Sequence, residues 1–285
     1  MELNLYEWIK GRRHFLPENK VKAYIYHLLK AIDHMHRNGI FHRDIKPENV
    51  LISDDTLKLA DFGSCKGVYS KQPYTEYIST RWYRPPECLL TDGYYDYKMD
   101  IWGVGCVFFE VMALFPLFPG NNELDQVHRI HKVLGTPDPA ILAEFQKNAT
   151  HMKFNFPTVE GSGFERHIMH ASASCRDLIT KMLAYKCEDR ISARQALKHS
   201  YFKDLVTQEK PLRVFPSPLG ITDESAGEDE KTGLVLPTIK TSKKSDSNLK
   251  TVKSYKTFNY KIPSITKKIV LENRKVNISP IKKTL

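Results

Sequence analysis

Apolar residues recur at spacings of three and four through Val21, Tyr24, Leu28, Ile32 and Met35, the period of a helix with one buried face. The spacing predicts a helix over 17–38. Pro17 suits its first turn, where a missing N–H costs nothing, and Asn38-Gly39 supplies a left-handed stop. Two short apolar runs, 50–52 and 57–60, flank Ser53-Asp54-Asp55-Thr56 and predict a small β-hairpin. Residues 61–98 are rich in Gly, Pro, Tyr and Ser, follow neither period, and read as one long ordered loop, a length that usually marks function or disorder. Residues 99–114 are apolar almost all round, the pattern of a buried central helix. Amphipathic helices are expected at about 122–134, 173–184 and 192–199. From about residue 204 the helical period stops. No internal repeat occurs.

Composition narrows the class. The chain has 285 residues, 41% hydrophobic and 27% charged, enough for one large domain or two small ones and for a sizeable core. Wholesale disorder, collagen and a disulfide-held miniprotein are excluded. Cys65, Cys88, Cys106, Cys175 and Cys187 are odd in number and form no C-x-x-C pair. They suggest neither a disulfide framework nor a zinc site, and fit a reducing compartment, hence a cytoplasmic or nuclear location. The first residues have no basic stretch followed by an apolar run, so no secretory leader is expected. The apolar stretch 101–119 carries Glu110 and two prolines and reads as a buried helix rather than a membrane span. The charge is concentrated at one end: residues 231–285 hold 14 Lys and Arg against two acidic residues. Tyr255, Phe258 and Tyr260 lie among these lysines, a pattern compatible with single-stranded nucleic acid or an anionic membrane. A solvated disordered tail is the plainer reading.

The chemistry concentrates in His42-Arg43-Asp44-Ile45-Lys46-Pro47-Glu48-Asn49, followed by Asp61-Phe62-Gly63. Phosphoryl transfer from a nucleotide needs a carboxylate to orient the attacking hydroxyl, metal on the phosphate oxygens and positive charge near the migrating group. Asp44 can be that carboxylate, and Lys46 can reach the same place. Asn49 and Asp61 offer the hard oxygens that Mg²⁺ prefers, and the hairpin between them can bring them to one edge. Gly63 frees the backbone that aims Asp61. One such Asp alone is more often a turn or cap residue. H-R-D-x-K-x-x-N with D-F-G at this interval is among the most specific of enzyme signatures.

On these residues the chain resembles eukaryotic Ser/Thr protein kinases, Lys46 being the Ser/Thr-type feature. Thr75-Glu76-Tyr77 and Thr80-Arg81-Trp82-Tyr83-Arg84 resemble the activation loop of the mitogen-activated type. Phe118-Pro119-Gly120, Asp125-Gln126 and Gly135-Thr136-Pro137 match the helix and insert of that wider group. The resemblance covers residues 1–203. It implies an α+β kinase-like fold represented by its mainly helical C-terminal lobe with a small hairpin, followed by a disordered basic tail over 204–285. The activity implied is transfer of the ATP γ-phosphate to Ser or Thr followed by Pro, with ATP and Mg²⁺ as cofactors.

The resemblance also assigns roles. Asp44, Lys46, Asn49 and Asp61 would be catalytic; Lys46, Glu48, Asn49 and Asp61 would meet the nucleotide, and Asn49 and Asp61 the metal. Asp100 would brace the His42–Arg43 backbone, Thr80 would bond near Asp44 and Lys46, and Glu87 would pair with Arg190. Phosphates on Thr75 and Tyr77 would meet Arg43, Arg81 and Arg84 as regulatory forks. His42, Phe62 and Gly63 would be structural. A monomer acting on protein substrates is implied, with a ciliary location by resemblance alone.

Three positions depart from the pattern: Pro85-Pro86-Glu87 in place of Ala-Pro-Glu, Gly103 in place of a usual Ser or other small residue, and Lys186-Cys187 in place of Asp-Pro. A larger departure is that no G-x-G-x-x-G and no V-A-I-K-type lysine occurs. Residues 2–13 resemble the first helix after the hinge, so the small N-terminal lobe is expected to be missing. The chain would then be a truncated form with little activity. It would expose Leu3, Leu5, Trp8 and Phe62 and be prone to chaperone association. The alternative is a non-catalytic fragment that binds partners through the lobe and the tail.

Overall fold

The computed structural model describes residues 3–75, 80–150 and 153–208. Tyr77, expected in a regulatory loop, and the tail from 209 onward, with its expected disorder and basic contacts, lie outside the described residues. All described residues belong to one compact unit, Met1–Pro216.

The chain opens with β1 (Leu3–Asn4) and α1 (Leu5–Ile9). Asn4 caps α1: its side chain accepts from the Glu7 amide at 2.8 Å, and Glu7 reaches back to the Asn4 amide, the reciprocal capping box. This helix is shorter than the 2–13 suggested by resemblance, because Lys10 leaves helical geometry and Gly11 turns the chain at φ 73°. α2 (Glu18–Arg37) follows, with Pro17 just outside it as the cap residue. Val21, Tyr24, Ile25, Leu28, Leu29 and Ile32 form its buried face.

β2 (Ile40–Phe41) leads into the candidate loop, and β3 (Val50–Ser53) with β4 (Thr56–Leu59) forms the hairpin. Its turn is only Asp54-Asp55, both at positive φ, with Ser53 paired to Thr56. β1 adds to β3 to make a three-stranded antiparallel sheet. β5 (Lys66–Gly67) pairs with β2.

The 61–98 stretch is not one loop. It holds β5, a 3-10 turn at Arg81–Tyr83 and the helix α3 (Pro86–Leu90), all five of whose residues are buried. A five-residue helix opened by Pro85-Pro86 shows no period to read, and Pro is favoured at such a start.

α4 (Met99–Ala113) is buried along its whole length and packs against α2 and against α7 (Ala173–Met182). Between them come α5 (Glu123–Leu134) and α6 (Pro139–Gln146). No residue of α6 is fully buried, so its apolar stripe is too weak for the sequence pattern to predict it. α8 (Ala193–Leu197) and α9 (Lys203–Gln208) close the described chain. α9 carries helix past the point where the periodicity stopped.

Gly103 has a packing reason. A Cβ built there would lie 2.9 Å from Ile45 Cβ and 3.2 Å from the Ile45 carbonyl oxygen, so α4 and the segment beside Asp44 touch backbone to backbone. Alanine favours a helix interior over glycine by about 1 kcal/mol. Even so, Gly103→Ala is expected to lower stability by about 1–3 kcal/mol through overpacking. Chemical denaturation reads this directly; an unchanged or raised midpoint would show that Ile45 yields freely.

Candidate active site

The loop between β2 and β3 is fixed from beneath by one carboxylate. Asp100, on the first turn of α4 and 1% exposed, accepts from the amides of His42 and Arg43, each at 2.8 Å. The His36 ring nitrogen Nε2 lies 2.9 Å from the same side chain. Arg43 sits at φ 69°, a left-handed conformation that costs a non-glycine residue about 1–3 kcal/mol and persists only where its surroundings enforce it. The two charged amide bonds provide that enforcement. His42 Nε2 contacts the Ala60 carbonyl at 3.0 Å and its Nδ1 accepts from the Asp44 amide at 3.3 Å, a pairing that fits the tautomer protonated on Nε2.

On this base Asp44, Lys46 and Asn49 converge. Lys46 Nζ donates to Asp44 Oδ2 at 2.7 Å. Asn49 Nδ2 donates to the Asp44 carbonyl and to Oδ2, both at 2.9 Å. Asp44 and Asn49 are buried and Lys46 is half-buried. The Ala60 amide donates to the Asn49 carbonyl at 2.9 Å, extending the hairpin ladder by one step. Asn49 and Asp61 therefore stand at the same end of the hairpin. Asp61 is exposed at φ 63° and its carboxylate accepts from the Gly63 amide at 3.4 Å. Phe62 is 56% exposed and meets the His42 ring edge-on at 5.5 Å. Glu48 is exposed on the 3-10 turn Pro47–Asn49 and joins none of these bonds.

The three arginines expected to meet activation-loop phosphates divide. Arg43 donates to the Ser64 carbonyl and to the Tyr95 hydroxyl, which in turn donates to the Thr75 carbonyl at 2.8 Å. Arg43 is thus linked to the Thr75 backbone. Arg81 is instead directed to the Asn121 carbonyl at 3.3 Å, and Arg84, 2% exposed, to Glu123 at 3.2 Å. Among the described residues, Arg81 thus bonds the segment ahead of α5 and Arg84 the first turn of α5, while Arg81 Nε is buried and makes no hydrogen bond. Thr80 heads the turn at Arg81–Tyr83 without capping it. Nearby, the Tyr74 amide donates to the Gly93 carbonyl at 2.8 Å. Gly93, at φ 84°, has no room for a Cβ against Tyr74.

Glu87 on α3 and Arg190 form a two-pronged ion pair at 2.6 and 3.0 Å, both residues buried. Arg190 also donates to the Ala184 and Lys98 carbonyls and lies 5.2 Å from the Trp102 ring centroid. Burial opposes its charge, and the Glu87 carboxylate more than offsets that, holding the guanidinium above its ordinary pKa. Leu5 is fully buried rather than exposed, and Trp8 is half-buried, which leaves Leu3 and Phe62 as the open apolar residues of the expected set.

Residues 1–202 match the family model of the protein kinase domain. The chain belongs to the protein kinase family. It is similar to the MAPK/MAK/MRK overlapping kinase of mouse, with 54% identity over 231 residues, covering 79% of this chain and 55% of that protein. The human protein of the same name is 58% identical over 210 residues, covering 74% and 50%. Human serine/threonine-protein kinase MAK is 41% identical over 204 residues, covering 71% and 33%. The chain spans about half the length of the two overlapping kinases. The mitogen-activated-type resemblance of the activation loop and insert agrees with these relatives.

Glu110 is an acid in an otherwise apolar helix, and no local pattern in the sequence points to a partner for it. The Tyr83 hydroxyl donates to Glu110 Oε2 at 2.7 Å, both buried. Burial pushes the Glu110 carboxyl up to about 7, the Tyr83 bond pulls it down in part, and Glu48 adds to the rise. In the unfolded chain this carboxyl titrates near about 4.3. Between those values the native state binds the extra proton, so this contribution is complete below the unfolded pKa and is lost as pH rises through about 7. The loss amounts to a few kcal/mol. Glu110→Gln, which keeps an acceptor for Tyr83, is expected to flatten the fall in stability between pH 5 and 8. Urea melts at the two pH values test it, and an unaltered slope would count against the assignment.

Proposed function

We propose that this kinase lobe carries the phosphate-transfer residues of a Ser/Thr protein kinase acting at Ser or Thr followed by Pro. The reading rests above all on the Asp44–Lys46–Asn49 cluster, held by Asp100 at the mouth of the hairpin. Asp44 would orient the substrate hydroxyl and accept its proton, and Lys46 would hold negative charge beside it. Because Asn49 commits its amide nitrogen to Asp44, its carbonyl oxygen is the atom left for a cation. With the exposed Asp61 carboxylate this gives a hard two-oxygen set, and among the described residues no cluster of three or more His, Cys, Asp or Glu suits a metal. Such a set fits Mg²⁺, which takes one or two protein oxygens and completes its shell with phosphate and water. Mg²⁺ there would neutralise charge on the ATP phosphates. Proline direction is supported by Arg84, fixed by Glu123, at the position that shapes a proline-tolerant pocket in the kinases it resembles.

A polypeptide of these 285 residues is expected to bind ATP–Mg²⁺ weakly and transfer almost no phosphate, since no glycine-rich lid or adenine-facing lysine occurs in it. Loss of even one preorganised donor typically lowers rate by about 10²–10³. Calorimetric titration with ATP–Mg²⁺ tests this beside a timed assay of the same polypeptide, alone and joined to a glycine-rich small lobe. The joined protein should prefer a Ser-Pro peptide to its Ser-Ala analogue. Micromolar affinity with steady turnover by the 285 residues alone would overturn the low-activity reading, and equal rates on the two peptides would overturn proline direction. The exposed Leu3 and Phe62 favour a second reading, in which these open apolar positions serve to bind a protein partner.

A further inference from the structure

The turn after β5 presents a tyrosine to solvent. The Ser70 amide closes on the Gly67 carbonyl at 3.0 Å, and the Val68 amide donates to the Gly39 carbonyl at 2.7 Å. The base of the turn is therefore fastened, through the β2–β5 pair, to the segment that leads into the catalytic loop. Tyr69 at the tip is 92% exposed. It lines a cavity of about 280 Å³ together with Arg37 at the end of α2 and Arg194 on α8.

The charges facing this cavity come from three elements. On α2, Arg37 donates from Nε to Asp33 at 2.8 Å; its two Nη nitrogens make no hydrogen bond among the described residues. Asp33 is the one opposing carboxylate, and Arg37 already neutralises it. His36, also on α2, is turned toward Asp100. On α8, Arg194 is exposed and makes no ion pair or hydrogen bond among the described residues. Lys66 and Lys71, both exposed, flank Tyr69 in sequence. Two guanidiniums with unused donors thus share one cavity with an accessible phenol, the arrangement that suits a phosphate ester.

We propose that Tyr69 is a phosphorylation site and that Arg37 and Arg194 receive its phosphate. The donor is ATP, delivered by a separate tyrosine kinase. The Tyr69 Oη attacks the γ-phosphorus, the new O–P bond forms as the bond to the β,γ-bridging oxygen breaks, ADP departs with that electron pair, and the phenolic proton passes to the modifying enzyme's base. The phosphate, carrying about −1.5 to −2 charge, ties the turn to α2 and α8. That fastens the start of the activation segment over the wall where His36 meets Asp100. The proposal does not depend on the chain's own transferase activity.

The test has two arms, both on the full 285-residue chain. In the first, the chain is treated with a broad-specificity tyrosine kinase and ATP–Mg²⁺, and modified positions are mapped by mass spectrometry. Tyr69 should be modified at least about tenfold faster than the buried Tyr74 and Tyr83. A preparation that modifies other tyrosines and leaves Tyr69 untouched overturns the site. In the second, phosphotyrosine is installed at position 69 during translation and titrated by phosphorus NMR. Its second pKa, near 6 when unperturbed, should fall by about half a unit or more against the isolated 66–72 phosphopeptide. Arg194→Ala should return most of that shift, and Arg37→Ala with Arg194→Ala all of it. Arg194 is exposed and makes no hydrogen bond or ion pair among the described residues, so the single variant reads the cradle even where the double one is destabilised. Equal midpoints in parent, variants and peptide overturn the cradle.

Discussion

Asp44→Asn, in a protein that also carries a glycine-rich small lobe, is expected to reduce phosphate transfer by about 10²–10⁴, the span that a positioned general base commonly contributes. The amide keeps the shape of the carboxylate and can still accept from Lys46 and Asn49. The backbone is held separately, through Asp100 on His42 and Arg43. Folding should therefore be unaffected, and the loss should appear in kcat with little change in the KM for ATP. Steady-state kinetics beside a thermal melt separate the two effects. Turnover equal to the parent would mean that another group takes the proton.

The second large effect is on stability. Arg190→Leu leaves Glu87 buried with its charge and without its two-pronged partner. Breaking a buried pair from one side typically costs about 3–5 kcal/mol. The same change removes three carbonyl contacts and the stacking over Trp102. The double variant Glu87→Leu with Arg190→Leu should recover a substantial part of the loss, because no stranded charge remains. If the double variant is no more stable than Arg190→Leu alone, the penalty lies in packing and not in the unpaired carboxylate.

The contrast between those two sites explains what could be read in advance. Asp44, Lys46 and Asn49 fall within six residues, so short-range geometry alone brings them together once the loop is held. α2 and α4 were legible because a long periodic face and an all-apolar helix are both strong patterns. Glu87 and Arg190 are 103 residues apart, and nothing in the local pattern links them; only the family resemblance suggested the pair. α3 and α6 escaped because one is five residues behind a Pro-Pro step and the other buries no residue fully. The contact of Arg81 with Asn121 and of Arg84 with Glu123 was equally out of reach. It depends on where α5 packs, which a charge count cannot show.

Asp100 also sets which substitutions this kinase domain tolerates. Residues that form the reaction loop are irregular in secondary structure, yet their path is dictated by the most deeply buried helix: two amides rest on Asp100, and Ile45 rests on Gly103. In a saturation survey of substitutions, positions 100 and 103 would therefore group with the reactive residues in sensitivity, although neither contributes an atom to the reaction. Inherited variation in such a domain is best read by which helix a loop leans on, not by how far a residue lies from the substrate.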